Sequence, residues 1–175
     1  MTNLPQVQVA AAKLALRTAT AADLKVAAGA AVDAGIVTPD IAALATLSDD
    51  TLAEAEPLFR KVLDDLQVTP PSPDAAVWIL LRVPIQAIAD GSVAVEEGLQ
   101  GVMGIFRSAG LHEVSDDYVG DSHDIQHLVG LYWEIRDLAA HTTEVGFTDR
   151  YGPALEERRT EAIGRAKTWL TDHAA

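Results

Sequence analysis

Apolar residues recur every three or four positions along almost the whole chain, and no segment alternates convincingly between apolar and polar residues. A spacing of three to four places apolar side chains on one face of an α-helix, whereas strict alternation indicates a β-strand. The pattern therefore predicts an all-α protein, a bundle of six to eight helices.

The first helix boundaries are indicated by capping residues. We expect a helix from about Thr20 to Ala34, closed by Gly35 in the left-handed conformation that glycine adopts easily. Thr38 is expected to cap the next helix, with Pro39 in its first turn, where a missing N–H costs nothing.

Later helices are predicted from the same signals. One is expected from Ser72 to Gly91 with a bend at Pro84, and the next ends at Gly110. Two longer helices are expected at about 122–141 and 153–173.

The stretch TPPSPD, residues 69–74, is typical of a hinge. It separates an N-terminal helical lobe, residues 1–68, from a C-terminal helical lobe, residues 75–175. A chain of 175 residues is long enough for both lobes to share one core, so we expect one compact domain overall.

Glycines at 98, 101 and 104 recur every three residues within one predicted helix. Each glycine lowers helix propensity by roughly 1 kcal/mol, so a packing reason is expected. We predict that this bare side of the helix allows another helix to approach closely.

Charge changes the functional picture. The chain carries 13 basic and 26 acidic residues, a formal net charge of −13. Residues 72–146 contain only three arginines against twelve acidic residues. Nucleic-acid binding is disfavoured because it requires clustered Lys and Arg, whereas a basic protein partner would be attracted.

The most acidic stretch is EVSDDYVGDSHD, residues 113–124, with five acids and no Lys or Arg. We predict a non-enzymatic protein-interaction module, acting as an antagonist, immunity-like factor or adaptor, in which charge sets the association rate and apolar anchors set the affinity. The residues predicted to bind the basic partner are Glu113, Asp116, Asp117, Tyr118, Asp121 and Asp124.

An alternative interpretation concerns His123 and His127. On one helix their spacing would let both imidazoles reach zinc or another divalent transition metal, and H-D-x-x-H is close to the zinc-protease motif. The competing interpretation is a capped, partly exposed pair of histidines without a ligand. A third metal ligand would have to come from elsewhere, with His112, Asp116 or Asp117 as candidates.

The stretch ADGSVAVEEGL, residues 89–99, resembles half of a calcium loop. With Gly91 at position six, only Asp90 and Glu97 supply carboxylates, and a calcium site needs six or more oxygen ligands. We interpret it as a glycine turn followed by an acidic first helical turn.

The segment RVPIQAIADGSVAVEEGLQGV, residues 82–102, resembles a segment of bacterial all-helical proteins of no known activity. Pro84 departs from the helix-forming residue found in such proteins. The resemblance implies an all-helical fold and assigns no site.

Three absences bear on location and chemistry. The sequence contains no cysteine and no basic start leading into an apolar run, so a cytoplasmic protein that does not span membranes is expected. No phosphate loop, nucleophile elbow or dinucleotide fingerprint is found. We therefore predict a binding protein that uses no cofactor rather than an enzyme. A homo-oligomer is compatible with the sequence.

Overall fold

The computed structural model describes residues 4–48, 51–110, 123–142 and 148–174. These residues contain α-helices and no β-strand, which confirms the predicted all-α fold. The described part of the chain forms eight helices: α1 Pro5–Ala15, α2 Ala21–Asp33, α3 Pro39–Ala45, α4 Leu52–Asp65, α5 Pro73–Asp90, α6 Val95–Ser108, α7 Gln126–Thr142 and α8 Thr148–Asp172.

Among the described helices, none has both the length and the hydropathy required for a bilayer crossing.

The chain divides into two compact units, residues 1–80 and 81–175. The division falls inside α5, between Leu80 and Leu81. The proline-rich stretch at 69–74 leads into this helix: residues 69–72 are not helical, and Ser72 caps α5 by accepting a hydrogen bond from the Ala75 N–H at 3.2 Å.

The first unit is built around α2, which contacts α1, α3 and α4. Its core is rich in alanine, whose small side chain lets helix axes approach, and larger residues from α3 and α4 fill the space between the helices. The fully buried larger residues are Val7, Leu24, Ile41, Leu44, Phe59 and Val62, and the buried alanines are residues 10, 11, 19, 21, 27, 28, 31 and 55.

A capping box starts α2. The Thr20 hydroxyl accepts the Asp23 N–H at 3.2 Å, while the Asp23 carboxylate accepts the Thr20 N–H at 2.9 Å. Lys13 of α1 also donates to Asp23 at 2.6 Å. Burial acts to raise the pKa of Asp23, but the hydrogen bonds from Lys13 and Thr20 outweigh it and hold this pKa below its ordinary value.

The predicted glycine turns are confirmed at Gly35, Gly91 and Gly110, which have φ angles of 78°, 72° and 68°. These angles lie in the left-handed region that is strained for residues with a Cβ. At the second turn the Asp90 carboxylate accepts the Ser92 N–H at 3.0 Å, and hydrogen bonds from Ser92 lower the pKa of Asp90.

The expected close approach along the glycine row is confirmed at two of its three positions. A Cβ on Gly98 would lie 2.2 Å from Cγ1 of Ile88, and one on Gly101 would lie 3.0 Å from Cβ of Pro84. Helix α6 therefore packs its glycines directly against α5. For Gly104 the prediction is wrong, because no described residue lies within 4 Å of that position and the glycine is exposed.

The last two helices start at different residues from those expected. Helix α7 begins at Gln126 rather than near Ser122, because Asp124 has a φ of 54° and this left-handed residue cannot continue a helix. Helix α8 begins at Thr148 and contains Pro153, which was expected to start it. Proline so near a helix start removes only one intrahelical hydrogen bond.

We expect Gly98→Ala to lower the free energy of unfolding by about 1–2 kcal/mol, because overpacking against Ile88 exceeds the gain in helix propensity. The matched control on the same helix, Gly104→Ala, should raise it by up to about 1 kcal/mol. Urea denaturation measures both variants, and equal stabilisation of the two would contradict the close approach of α5 and α6.

A second prediction concerns acid. Because the pKa of Asp23 is lower in the folded chain than in the unfolded chain, its contribution is present above the unfolded pKa and disappears as pH falls through the folded pKa. Asp23→Asn should therefore cost about 1 kcal/mol at pH 7 and much less in acid below both pKa values. The free energies of unfolding of wild type and Asp23→Asn are measured across this pH range. A difference between them that does not change with pH would contradict the prediction.

Candidate functional site

Most of the predicted partner-binding residues lie outside the described part of the chain. Glu113, Asp116, Asp117, Tyr118 and Asp121 belong to residues 111–122, which the structure does not describe. Their role in binding a basic partner stays a prediction from the sequence.

Asp124 is described, and it lies in the turn that precedes α7. Its side chain is 62% exposed, and Oδ2 lies 3.4 Å from Nε2 of His173 near the end of α8. This predicted partner-binding residue is therefore accessible and lies beside another polar side chain.

The two histidines of the metal hypothesis do not share a helix face. His123 is 3% exposed and lies in the turn before α7, whereas His127 is exposed on the first turn of the helix. His123 therefore lies outside α7, separated from His127 by the left-handed Asp124, and a metal ion shared by the two imidazoles stays a prediction.

No group of three His, Cys, Asp or Glu side chains in the described ranges is arranged to hold a metal ion. Glu134 forms an ion pair with Arg158, and His141 stacks on Tyr151 with ring centroids 5.4 Å apart. Zinc or another divalent metal at His123 and His127 stays a prediction, without a third ligand in the described part of the chain.

Helices α7 and α8 pack antiparallel with a regular register. His141 of α7 stacks on Tyr151 of α8. Seven residues before His141, the Glu134 carboxylate accepts a hydrogen bond at 2.8 Å from Nε of Arg158, which lies seven residues after Tyr151. We call the two pairs His141–Tyr151 and Glu134–Arg158 the polar ladder. Seven residues are close to two helical turns, so the pairs recur on one edge of each helix.

The same spacing continues to the start of α7. Another seven residues along, His127 and Arg165 occupy the next positions of this register, and both line one cleft. Four residues further, the buried indole N–H of Trp169 donates to the backbone carbonyl of His123 at 2.9 Å. This bond ties the last turns of α8 to the turn before α7.

The end of α8 is held by further contacts. Arg82 of α5 donates to the backbone carbonyl of His173, and the imidazole of His173 lies edge-on to the Trp169 ring at 4.8 Å. A helix leaves its last carbonyls without intrahelical donors, and the Arg82 guanidinium supplies a hydrogen-bond donor at this end of α8.

A cleft of about 270 Å³ opens where the polar ladder ends. Its polar walls come from the first turn of α7 and the last turns of α8, and two of its lining residues are almost fully buried, Leu128 at 2% and Trp169 at 5% exposure. The lining residues are Asp124, Gln126, His127, Leu128, Arg165, Thr168, Trp169, Asp172 and His173.

A second feature lies in the middle of α7. Trp133 is 44% exposed, its ring lies edge-on to Tyr132 at 5.0 Å, and the guanidinium of Arg136 lies 5.4 Å from its ring centroid. We call these three residues the Trp133 patch. The cation–π contact and the edge-to-face contact restrict the orientation of a large exposed aromatic side chain.

Two arginines of α8 each bind two carboxylates. Arg158 contacts Glu134 at 2.8 Å and Glu161 at 2.7 Å, and Arg159 contacts Glu96 of α6 at 2.8 Å and also Glu156. The hydrogen bonds that Arg158 donates to Glu161 and Arg159 donates to Glu96 raise the pKa of both guanidinium groups. The charges of Arg158 and Arg159 are thus engaged in ion pairs within this unit.

Sequence reasoning missed the polar ladder, although a signal for it was present. His127, Glu134 and His141 are spaced by seven on one predicted helix, as are Tyr151, Arg158 and Arg165 on the next. Opposed heptad spacings with complementary residues are typical of antiparallel helix pairs. The Trp133 patch had a weaker signal, because exposure of a tryptophan within an apolar helix cannot be read from spacing alone.

We expect Trp169→Phe to lower the free energy of unfolding by about 1–3 kcal/mol, because it leaves a buried carbonyl at His123 without its donor and leaves a small void. The same exchange at the exposed Trp133 should change stability by less than about 0.5 kcal/mol. Equal losses in chemical denaturation would show that the indole N–H bond does not hold this end of α8.

Comparison with known proteins gives no match to a family model, to a curated protein or to a solved structure.

Proposed function

We propose that this chain is a non-enzymatic interaction module that binds a basic protein partner, with the Trp133 patch as the anchor of the interface. The supporting observation is the exposure of Trp133 on α7, fixed between Tyr132 and Arg136. Tryptophan, tyrosine and arginine are the three residue types most enriched among interface residues that dominate binding free energy.

The surroundings of the patch suit an interface. Gly130, one turn before Trp133, is exposed, and among the described residues nothing lies within 4 Å of where its Cβ would be, so a partner side chain can approach the indole from that side. Asp137, one turn after it, is exposed and has no ion-pair partner among the described residues. A basic side chain bound beside the indole could pair with this carboxylate.

Net charge supports a basic partner. The chain carries a formal charge of −13, and residues 111–122, which precede α7, contain four acidic residues and no Lys or Arg. Arg158 and Arg159 form ion pairs with carboxylates of their own unit, and the net charge of −13 already includes them. A negative field accelerates encounter with a positively charged protein, and the anchor then slows dissociation.

The test is capture from a lysate of the encoding organism at about 50 mM and about 500 mM salt, followed by affinity measurement with the purified partner. Wild type should retain a basic protein at low salt and release most of it at high salt. Trp133→Ala should weaken binding by about 30-fold, as expected for loss of a central anchor worth about 2 kcal/mol.

The matched control is Val26→Ala, which truncates an apolar side chain that is 62% exposed on α2. This variant should bind as wild type does. Failure to retain any basic protein, an equal loss with Val26→Ala, or a self-associated form that disappears with Trp133→Ala would each contradict the proposal.

A further inference from the structure

The cleft at the end of the polar ladder has charges of opposite sign at its two ends. Arg165 and Asp172 both line it and are seven residues apart on α8, which places their backbones about 10 Å apart along the helix axis. His127 occupies the position opposite Arg165 in the register of α7 and α8 and also lines the cleft, which places these two nitrogen-bearing side chains toward one end.

The acidic end is formed by Asp172 together with Asp124. Oδ2 of Asp124 lies 3.4 Å from Nε2 of His173, the residue that follows Asp172, so both carboxylates belong to the same end of the cleft. Between the two ends the lining includes the nearly buried Leu128 and Trp169. The cleft is therefore dipolar with an apolar section between its charged ends.

Arg165 at one end and Asp172 at the other have bonding capacity to spare. Glu161 lies 3.7 Å from Arg165, and the same Glu161 binds Arg158 more closely at 2.7 Å. Asp172 has no ion-pair partner among the described residues and is exposed. Arg158 pairs with Glu134, whereas the residue opposite Arg165 in the same register is His127, which offers no carboxylate.

From this arrangement we propose that the cleft binds a small ligand with a carboxylate at one end and a basic nitrogen at the other, of the class represented by lysine and arginine. The ligand carboxylate lies between Arg165 and His127, its alkyl chain lies over Trp169, and its ammonium or guanidinium group lies between Asp124 and Asp172. This site is separate from the Trp133 patch and does not depend on the proposed partner.

The size of such a ligand fits the cleft. In extended lysine six bonds of about 1.5 Å in staggered conformation separate the carboxylate carbon from Nζ by roughly 7 Å. The side chains of Arg165 and Asp172 extend from backbones about 10 Å apart, so they can reach the two ends of this molecule. A volume of about 270 Å³ holds one molecule of this size.

The test is a titration of the ¹⁵N-labelled full chain with L-lysine, followed by amide and indole N–H chemical shifts. Saturable shifts of the Trp169 indole and of residues 124–128 and 165–173, with a Kd of about 1 mM or tighter, are expected. The Trp169 indole signal is identified by its loss in Trp169→Phe. Absence of saturable shifts at these positions would overturn the proposal.

Two variants and their matched controls test the ends separately. Arg165→Gln and Asp172→Asn should each weaken lysine binding by about tenfold or more. Lys167→Gln on α8 and Asp33→Asn on α2 remove the same charges from exposed positions that do not line the cleft, and they should leave Kd unchanged. Equal weakening by variant and control would mean that net charge alone attracts lysine, which would overturn the site.

Three further probes test the ligand class. Sodium acetate and butylammonium chloride each carry one end of the ligand, and both should bind at least about tenfold more weakly than lysine. If butylammonium binds as tightly as lysine, the dipolar recognition is wrong. Nα-acetyl-L-lysine distinguishes two sources of the same chemistry: equal binding assigns the cleft to a basic residue at a polypeptide C-terminus, and weaker binding assigns it to the free amino acid.

Discussion

The antiparallel register of α7 and α8 is the constraint that positions the functional features of the second unit. The Glu134–Arg158 ion pair and the His141–Tyr151 stack fix which residues face each other along the two helices. Each exposed ion pair contributes little to stability by itself, so apolar burial supplies the energy and the polar pairs select one register. Because that register is fixed, Trp133 stays on the exposed face of α7, and the start of α7 lies beside the end of α8.

The negative charge of this protein follows from its 26 acidic and 13 basic residues, and several of its arginines are used for internal contacts. Arg158 and Arg159 each bind two carboxylates, and Arg82 donates to a backbone carbonyl at the end of α8. These guanidinium groups link helices, which arginine does well because its planar fork makes several directed hydrogen bonds. Asp137 and Asp172 form no ion pair with other described residues, so their carboxylates are available to molecules in solution.

The local features of the fold could be predicted from sequence because each depends on one or two neighbouring residues. Thr20 caps α2 and Gly35 turns left-handed, as their chemistry requires. The start of α7 could not be predicted in this way, because an aspartate at position 124 is compatible with a helical first turn, and only tertiary contacts such as the Trp169 bond to His123 favour its left-handed conformation. The metal hypothesis relied on that helix start, and the cleft depends on contacts between residues far apart in the sequence.

The polar ladder has a geometric limit that follows from its spacing. A straight α-helix has 3.6 residues per turn, so positions seven apart drift by about 20° around the axis at each repeat. Two repeats, from His141 to His127 along α7, accumulate about 40°, which short side chains could not span without supercoiling of the two helices. Glutamate, arginine, histidine and tyrosine have side chains long enough to reach across this rotation. Side-chain length therefore limits the length over which two uncoiled helices can form pairs in one register.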